Sequence, residues 1–123
     1  MKIAIATDDD RGFDSSVSSR FGRTPYFAIV SLETMEIKVI DNEARNAASG
    51  AGVSAAQNLI EEGVNAVISE KFGQKAFEAL EAGDVKLYSV SGDITVQKAL
   101  NKLKERSLAE LNEHTNSAHS GLK

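Results

Sequence analysis

Apolar residues fall along the chain in short runs, and the spacing inside each run predicts the element it builds. Residues 2–7 (Lys2-Ile3-Ala4-Ile5-Ala6-Thr7) are apolar almost without interruption over strand length, the pattern of a strand covered on both faces of an α/β sheet. Residues 26–31 read as a second strand, and residues 36–41 alternate as a third with one wetter face. The four residues Leu32 to Met35 between them suit a hairpin. Val53, Ala56, Leu59 and Ile60 then recur at helical spacing, so a helix is predicted from about Gly52 to Glu62, with Gly63 as its stop. A strand over 66–69, a helix over 74–82 burying Ala76, Phe77 and Leu80, and a strand over 85–88 follow. A last helix opens near Asp93 or Thr95 and buries Val96, Ala99, Leu100 and Leu103.

The order βββαβαβα places a hairpin beside a parallel set and is that of a ribonuclease H-like α/β fold, a five-stranded mixed sheet with three helices. If the second strand is the antiparallel one, the loops 8–25, 42–52, 70–74 and 89–94 gather at the carboxyl ends of the parallel strands, where open α/β sheets bind ligands. The first of these loops is the most informative stretch. Its 18 residues from Asp8 to Pro25 carry four Asp, three Arg and four Ser, whereas compact domains usually connect elements with about 4–6 residues. Phe21-Gly22 inside it argues for an ordered loop, because an aromatic favours burial and a glycine permits unusual backbone geometry. The domain is expected over 1–106, with 107–123 a polar, mobile tail.

Composition narrows the chemistry. A formal charge of -4 and a pI near 5.2 argue against nucleic acid as a partner. No cysteine is present, which removes disulfides, thiolate metal sites and a cysteine nucleophile. The longest apolar run, Tyr26 to Val30, has five residues, far below the ~20 that span a bilayer. No signal-peptide pattern opens the chain, so a cytoplasmic protein without membrane partners is expected, as a monomer or weak homodimer.

Several segments together resemble the dinitrogenase iron-molybdenum cofactor biosynthesis family, which includes NifX, NafY and the C-terminal region of NifB. They are Lys2 to Ala6, Ser19-Arg20-Phe21-Gly22-Arg23-Thr24-Pro25-Tyr26-Phe27, Gly50-Ala51-Gly52, Glu62 to Ile68, Phe72-Gly73, and Gly83 to Tyr88. The resemblance spans roughly residues 1–103. It implies a ribonuclease H-like carrier of an anionic metal-sulfur cofactor, of iron-molybdenum type, or its precursor, with a delivery or acceptor protein as partner. Where many members carry histidine, this chain has Arg20 before Phe21-Gly22 and Ser49 in the glycine-rich loop. The resemblance therefore transfers no cluster-ligating side chain, and affinity would come from charge and backbone donors.

The candidate binding set is Arg20, Phe21, Gly22, Arg23, Ser49, Gly50, Gly52, Phe72 and Gly73, with no catalytic and no metal-ligating residue. Four of the five arginines (Arg11, Arg20, Arg23, Arg45) lie in the two long edge loops and suit an anion through their N–H donors. Against this, Asp8, Asp9, Asp10, Asp14 and Glu43 offer them local partners. Gly50-Ala51-Gly52 precedes a helix whose free N–H groups can hold an anion, although glycines there also serve turns. Phe21 and Phe72 could wall a pocket or simply plug their loops onto the core. Asp8, Asp9, Asp10 and Glu70 at strand ends suggest a metal-dependent nuclease, but the first strand carries no carboxylate and no basic surface accompanies it. His114 and His119, five apart in the polar tail, are not at the spacing that puts two imidazoles on one helical face. The chain thus reads as a non-catalytic carrier, the alternative being a regulatory protein-interaction module of the same fold that has lost cofactor binding.

Overall fold

The computed structural model describes residues 1–91, 93–108 and 110–111. Five strands, β1 (Lys2–Thr7), β2 (Tyr26–Ser31), β3 (Glu36–Asp41), β4 (Ala66–Ser69) and β5 (Lys86–Ser89), form one mixed sheet in the order β3-β2-β1-β4-β5. β2 runs antiparallel to both its neighbours, and β1, β4 and β5 pair in parallel. Among the described residues there are three helices, α1 (Ala51–Glu61), α2 (Gln74–Ala82) and α3 (Val96–Lys104). Each lies within a residue or two of its predicted span, as does β5. Two short 3₁₀ turns, Gly12–Asp14 and Glu43–Asn46, interrupt the long loops and carry no periodic signal that would foretell them.

The period-two alternation of the strands splits the core. Ala4, Ala6, Phe27, Ile29, Val67 and Leu87 face α1 and α2, which contribute Ala55, Ala56, Leu59, Ala76, Phe77 and Leu80. Ile3, Ile5, Ala28, Val30, Ala66 and Ile68 face α3 through Val96, Ala99 and Leu100. Residues 3–6 of β1 are apolar throughout because both faces of the strand are covered. Its two alanines look toward the face where two helices and a phenylalanine cluster must fit.

With β2 reversed, the ends of β1 (Thr7), β3 (Asp41), β4 (Ser69) and β5 (Ser89) share one edge of the sheet with the start of β2. The loop after β1 is ordered by that edge. Val17 packs on the α3 face and Phe21 on the α1/α2 face, so the chain crosses over the sheet edge between them. Ser18 N donates to the Ala6 carbonyl at 2.7 Å, Val17 N to Ile94 at 2.9 Å, and Phe21 N to Lys71 at 3.1 Å. A loop this long is held because its backbone groups find partners on three neighbouring segments.

At the far edge, Leu111 N donates to the Leu87 carbonyl at 2.8 Å, Glu110 bridges Tyr88, and Leu111 packs against the α1/α2 core. The first residues beyond 106 thus include two that run against β5. Residues 109 and 112–123 of the expected tail, with His114 and His119, lie outside the described residues. Among the described residues, no helix is long and apolar enough to cross a membrane.

Candidate functional site

Three phenylalanines fix the floor. Phe21 packs against Phe27 and Phe72 with ring centroids 5.3 and 5.4 Å apart, and all three are buried. Burying one such ring contributes roughly 1.5–3 kcal/mol, enough to pin the loop at Phe21 and the β4–α2 connection at Phe72 to the same core. The residues that follow them, Gly22 and Gly73, are thereby brought to one place.

Close backbone approach then sets the walls. A Cβ on Gly22 would lie 2.9 Å from Gly52 Cα and 3.0 Å from Gly52 N, and one on Gly52 would lie 3.1 Å from Ala76 Cβ. Only glycine lets the loop touch the start of α1, and the same small residues let α1 and α2 converge at their N-termini. Gly50 enters α1 with φ of 74°, a conformation glycine adopts without steric cost.

Side chains from the loop after β3 clamp this arrangement. Buried Asn42 donates through Nδ2 to the Gly22 and Thr24 carbonyls at 3.0 and 2.9 Å. Arg45 Nη1 donates to the Pro25 carbonyl at 2.7 Å. In return Arg23 Nη1 donates to the carbonyls of Arg45 and Ala47 at 2.6 and 2.8 Å. The 22–25 and 42–47 segments are therefore laced together by side chain to backbone bonds in both directions.

The result is a cleft of about 590 Å³ at the carboxyl edge of the sheet, between the 20–23 loop and the first turns of α1 and α2. Arg20, Arg23, Lys71 and Lys75 line it, and among the described residues no Asp or Glu does. Its walls include the N-cap residues of both helices, Gly50 and Gly73. Neither helix has a side-chain cap or an acidic residue in its first turn, so the backbone N–H groups there are not taken up by a capping side chain. First-turn N–H groups without a side-chain cap, the positive end of a helix dipole and cations without a carboxylate partner are together suited to an anion.

Of the nine residues expected at the site, the structure brings seven to the cleft: Arg20, Phe21, Gly22, Arg23, Gly50, Gly52 and Gly73. It does not bring Ser49, which stays exposed on the turn before α1, or Phe72, whose ring lies under the floor. Phe21 serves both as core plug and as part of the wall. Arg11 lies away from the cleft, paired with Asp9 at 3.3 Å, and Arg45 is bound to the backbone. Among the described residues no group of three or more His, Cys, Asp or Glu is placed to hold a metal ion, so the Asp8, Asp9, Asp10 and Glu70 constellation does not assemble. Sequence reasoning passed over Lys71 and Lys75. Their only signal was position, flanking Phe72-Gly73 at the start of a helix, where most lysines are solvent-facing.

Fold and cleft define an α/β domain with an anion-suited site at the carboxyl edge of a mixed sheet. The chain belongs to the dinitrogenase iron-molybdenum cofactor family, which matches residues 1–106. It is similar to an uncharacterized protein of Methanocaldococcus jannaschii, 36% identical over 94 residues that make up 74% of this chain and 75% of that protein. Among solved structures it is similar to the apo form of the orange protein from Desulfovibrio gigas, with a TM-score of 0.89 and 30% identity over 93% of this chain and 95% of that one. A putative NifB protein from Thermotoga superposes with a TM-score of 0.80 at 35% identity, covering 93% and 96%.

Proposed function

We propose that this protein is a non-catalytic carrier, of ribonuclease H-like fold, for an anionic metal-sulfur cofactor of iron-molybdenum type or its precursor, which it passes to an acceptor protein. The observation that carries this reading is a cleft to which the described residues bring four cations, no carboxylate and two helix N-termini without side-chain caps. Family membership supplies the class of cargo, and the similarity to the orange protein, solved as an apo form, is consistent with a bound form.

The donor set determines how such a cargo would be held. Among the described residues the cleft offers guanidinium, ammonium and backbone N–H groups and no imidazole, and the chain has no thiolate to add. The cargo is therefore retained whole by these residues, through charge and hydrogen bonds to its outer sulfur or oxygen atoms, with no metal–protein bond from any of them. Such binding weakens as salt screens the charges, which suits a protein that must release what it carries.

Protein purified without oxygen from its native host should carry iron or molybdenum with sulfide, and salt should strip it. Metal-free protein that also fails to take up isolated iron-molybdenum cofactor at low ionic strength would favour the regulatory interaction module, a reading supported by the absence of cysteine from the chain.

A further inference from the structure

The four cations of the cleft are not equivalent. Arg23 is committed to two backbone carbonyls, those of Arg45 and Ala47. Among the described residues, the side chains of Arg20, Lys71 and Lys75 make no ion pair and no hydrogen bond. All three are exposed into the cleft.

Their placement gathers like charge in the free protein. Arg20 and Lys71 are partners in an isolated parallel bridge, so two cationic side chains leave neighbouring segments at one level, an arrangement that disfavours like charges. Lys75 sits in the first turn of α2, which contains no acidic residue, so a cation stands at the positive end of a helix dipole.

We propose that Arg20, Lys71 and Lys75 are the side chains that hold the anion, and that Arg23 is a positioning residue that fastens the loop wall. This assignment rests on the carrier reading. The unbound cleft is held in mutual repulsion, and a bound anion relieves it at three points. Binding and stability are thereby opposed: each free cation that strengthens retention of the cargo weakens the empty protein.

The test uses tetrathiomolybdate, a soluble metal-sulfide dianion, titrated into the full chain at low salt, with the thermal midpoint of the empty protein as second readout. Lys71→Gln with Lys75→Gln should raise the dissociation constant about tenfold, the scale of two exposed charge-assisted contacts. The same variant, empty, should melt about 1–4 °C higher, because a like-charge pair and a dipole clash have been removed. Arg20→Gln should shift both readouts in the same directions. Arg23→Gln should lower the melting temperature and weaken binding less than the double lysine variant. Wild-type binding that survives the double lysine and Arg20 variants would overturn this assignment and leave the carrier reading standing. Binding lost on Arg23→Gln at unchanged melting temperature would overturn it as well. Wild-type protein that does not bind the probe at all removes the carrier reading and the assignment together.

Discussion

Two helix starts in this protein share a backbone conformation and differ in what they do with it. Thr95, the N-cap of α3, has φ of -88° and ψ of 163°, and its Oγ1 accepts from Lys98 N at 3.2 Å. Gly73, the N-cap of α2, has φ of -73° and ψ of 163° and caps nothing. At α3 the next donor is taken as well, because Val96 N reaches the Ser15 carbonyl at 2.9 Å. The α3 start is closed by the protein for its own stability, and the α2 start carries no side-chain cap where the cleft lies. The backbone at Gly73 is in the region that capping residues ordinarily use, so the absence of a side chain there is a matter of sequence and not of backbone geometry.

The comparison breaks most directly at the wall that lets α1 and α2 converge. Gly22→Ala would put a methyl group against the Gly52 backbone, where no flexible side chain can yield. Urea unfolding should show a loss of about 1–3 kcal/mol, the scale of overpacking, and the anion site should weaken with it. Thr95→Ala removes a cap on the opposite face and should cost about 1 kcal/mol in the same measurement. Because α3 does not line the cleft, anion affinity should be unchanged by it. A matching loss of affinity would mean that the two faces are coupled.

Gly73→Ser sharpens the comparison from the other side. A serine there can accept from the first-turn N–H groups of α2, as Thr95 does in α3, and should stabilise the fold by a few tenths of a kcal/mol. Titration with an anion should show weaker binding, since the donors are then occupied. Stronger or equal binding would show that the α2 donors do not face the cargo.

The smallest effect concerns acid stability on the α3 side of the long loop. Burial pushes the Asp9 carboxyl up, but hydrogen bonds from Arg11 and Ser15 and the Arg11 charge outweigh it, so it titrates below its ordinary 3.8. A depressed carboxylate contributes stability that is complete above that ordinary value and is lost as pH falls through the lowered one. Asp9→Asn should therefore narrow the difference in melting temperature between pH 5 and pH 3 slightly. The pair is surface-exposed and the change should be small.

Much of the architecture was legible because its signals are local. The apolar run of residues 2–7, the alternation over 36–41 and the helical spacing of Ala76, Phe77 and Leu80 each report on neighbours within a few positions. The gathering of loops at one edge followed from one further inference, that β2 is reversed. The site was legible in outline through Arg20, Phe21, Gly22, Gly50, Gly52 and Gly73. Lys71 and Lys75 were not, because a lysine at a helix start looks the same in sequence whether it faces solvent or a cleft. The 3₁₀ turns escaped for a related reason: one turn is too short to show a period.

The sequence by itself determined the elements, the two-faced core and the candidate loops, since hydrophobic period and glycine position act over short distances. Only the tertiary structure decided which cation does what. Arg20 and Arg23 stand three apart in one loop and are chemically identical, yet Arg23 is bound to carbonyls 22 and 24 residues away and Arg20 lies beside Lys71, 51 positions on. Hydrogen-bond partners and like-charge neighbours at such separations exist only once the sheet has brought the loops together. That is why the assignment of charge to framework or to cargo could not be read before the fold was in hand.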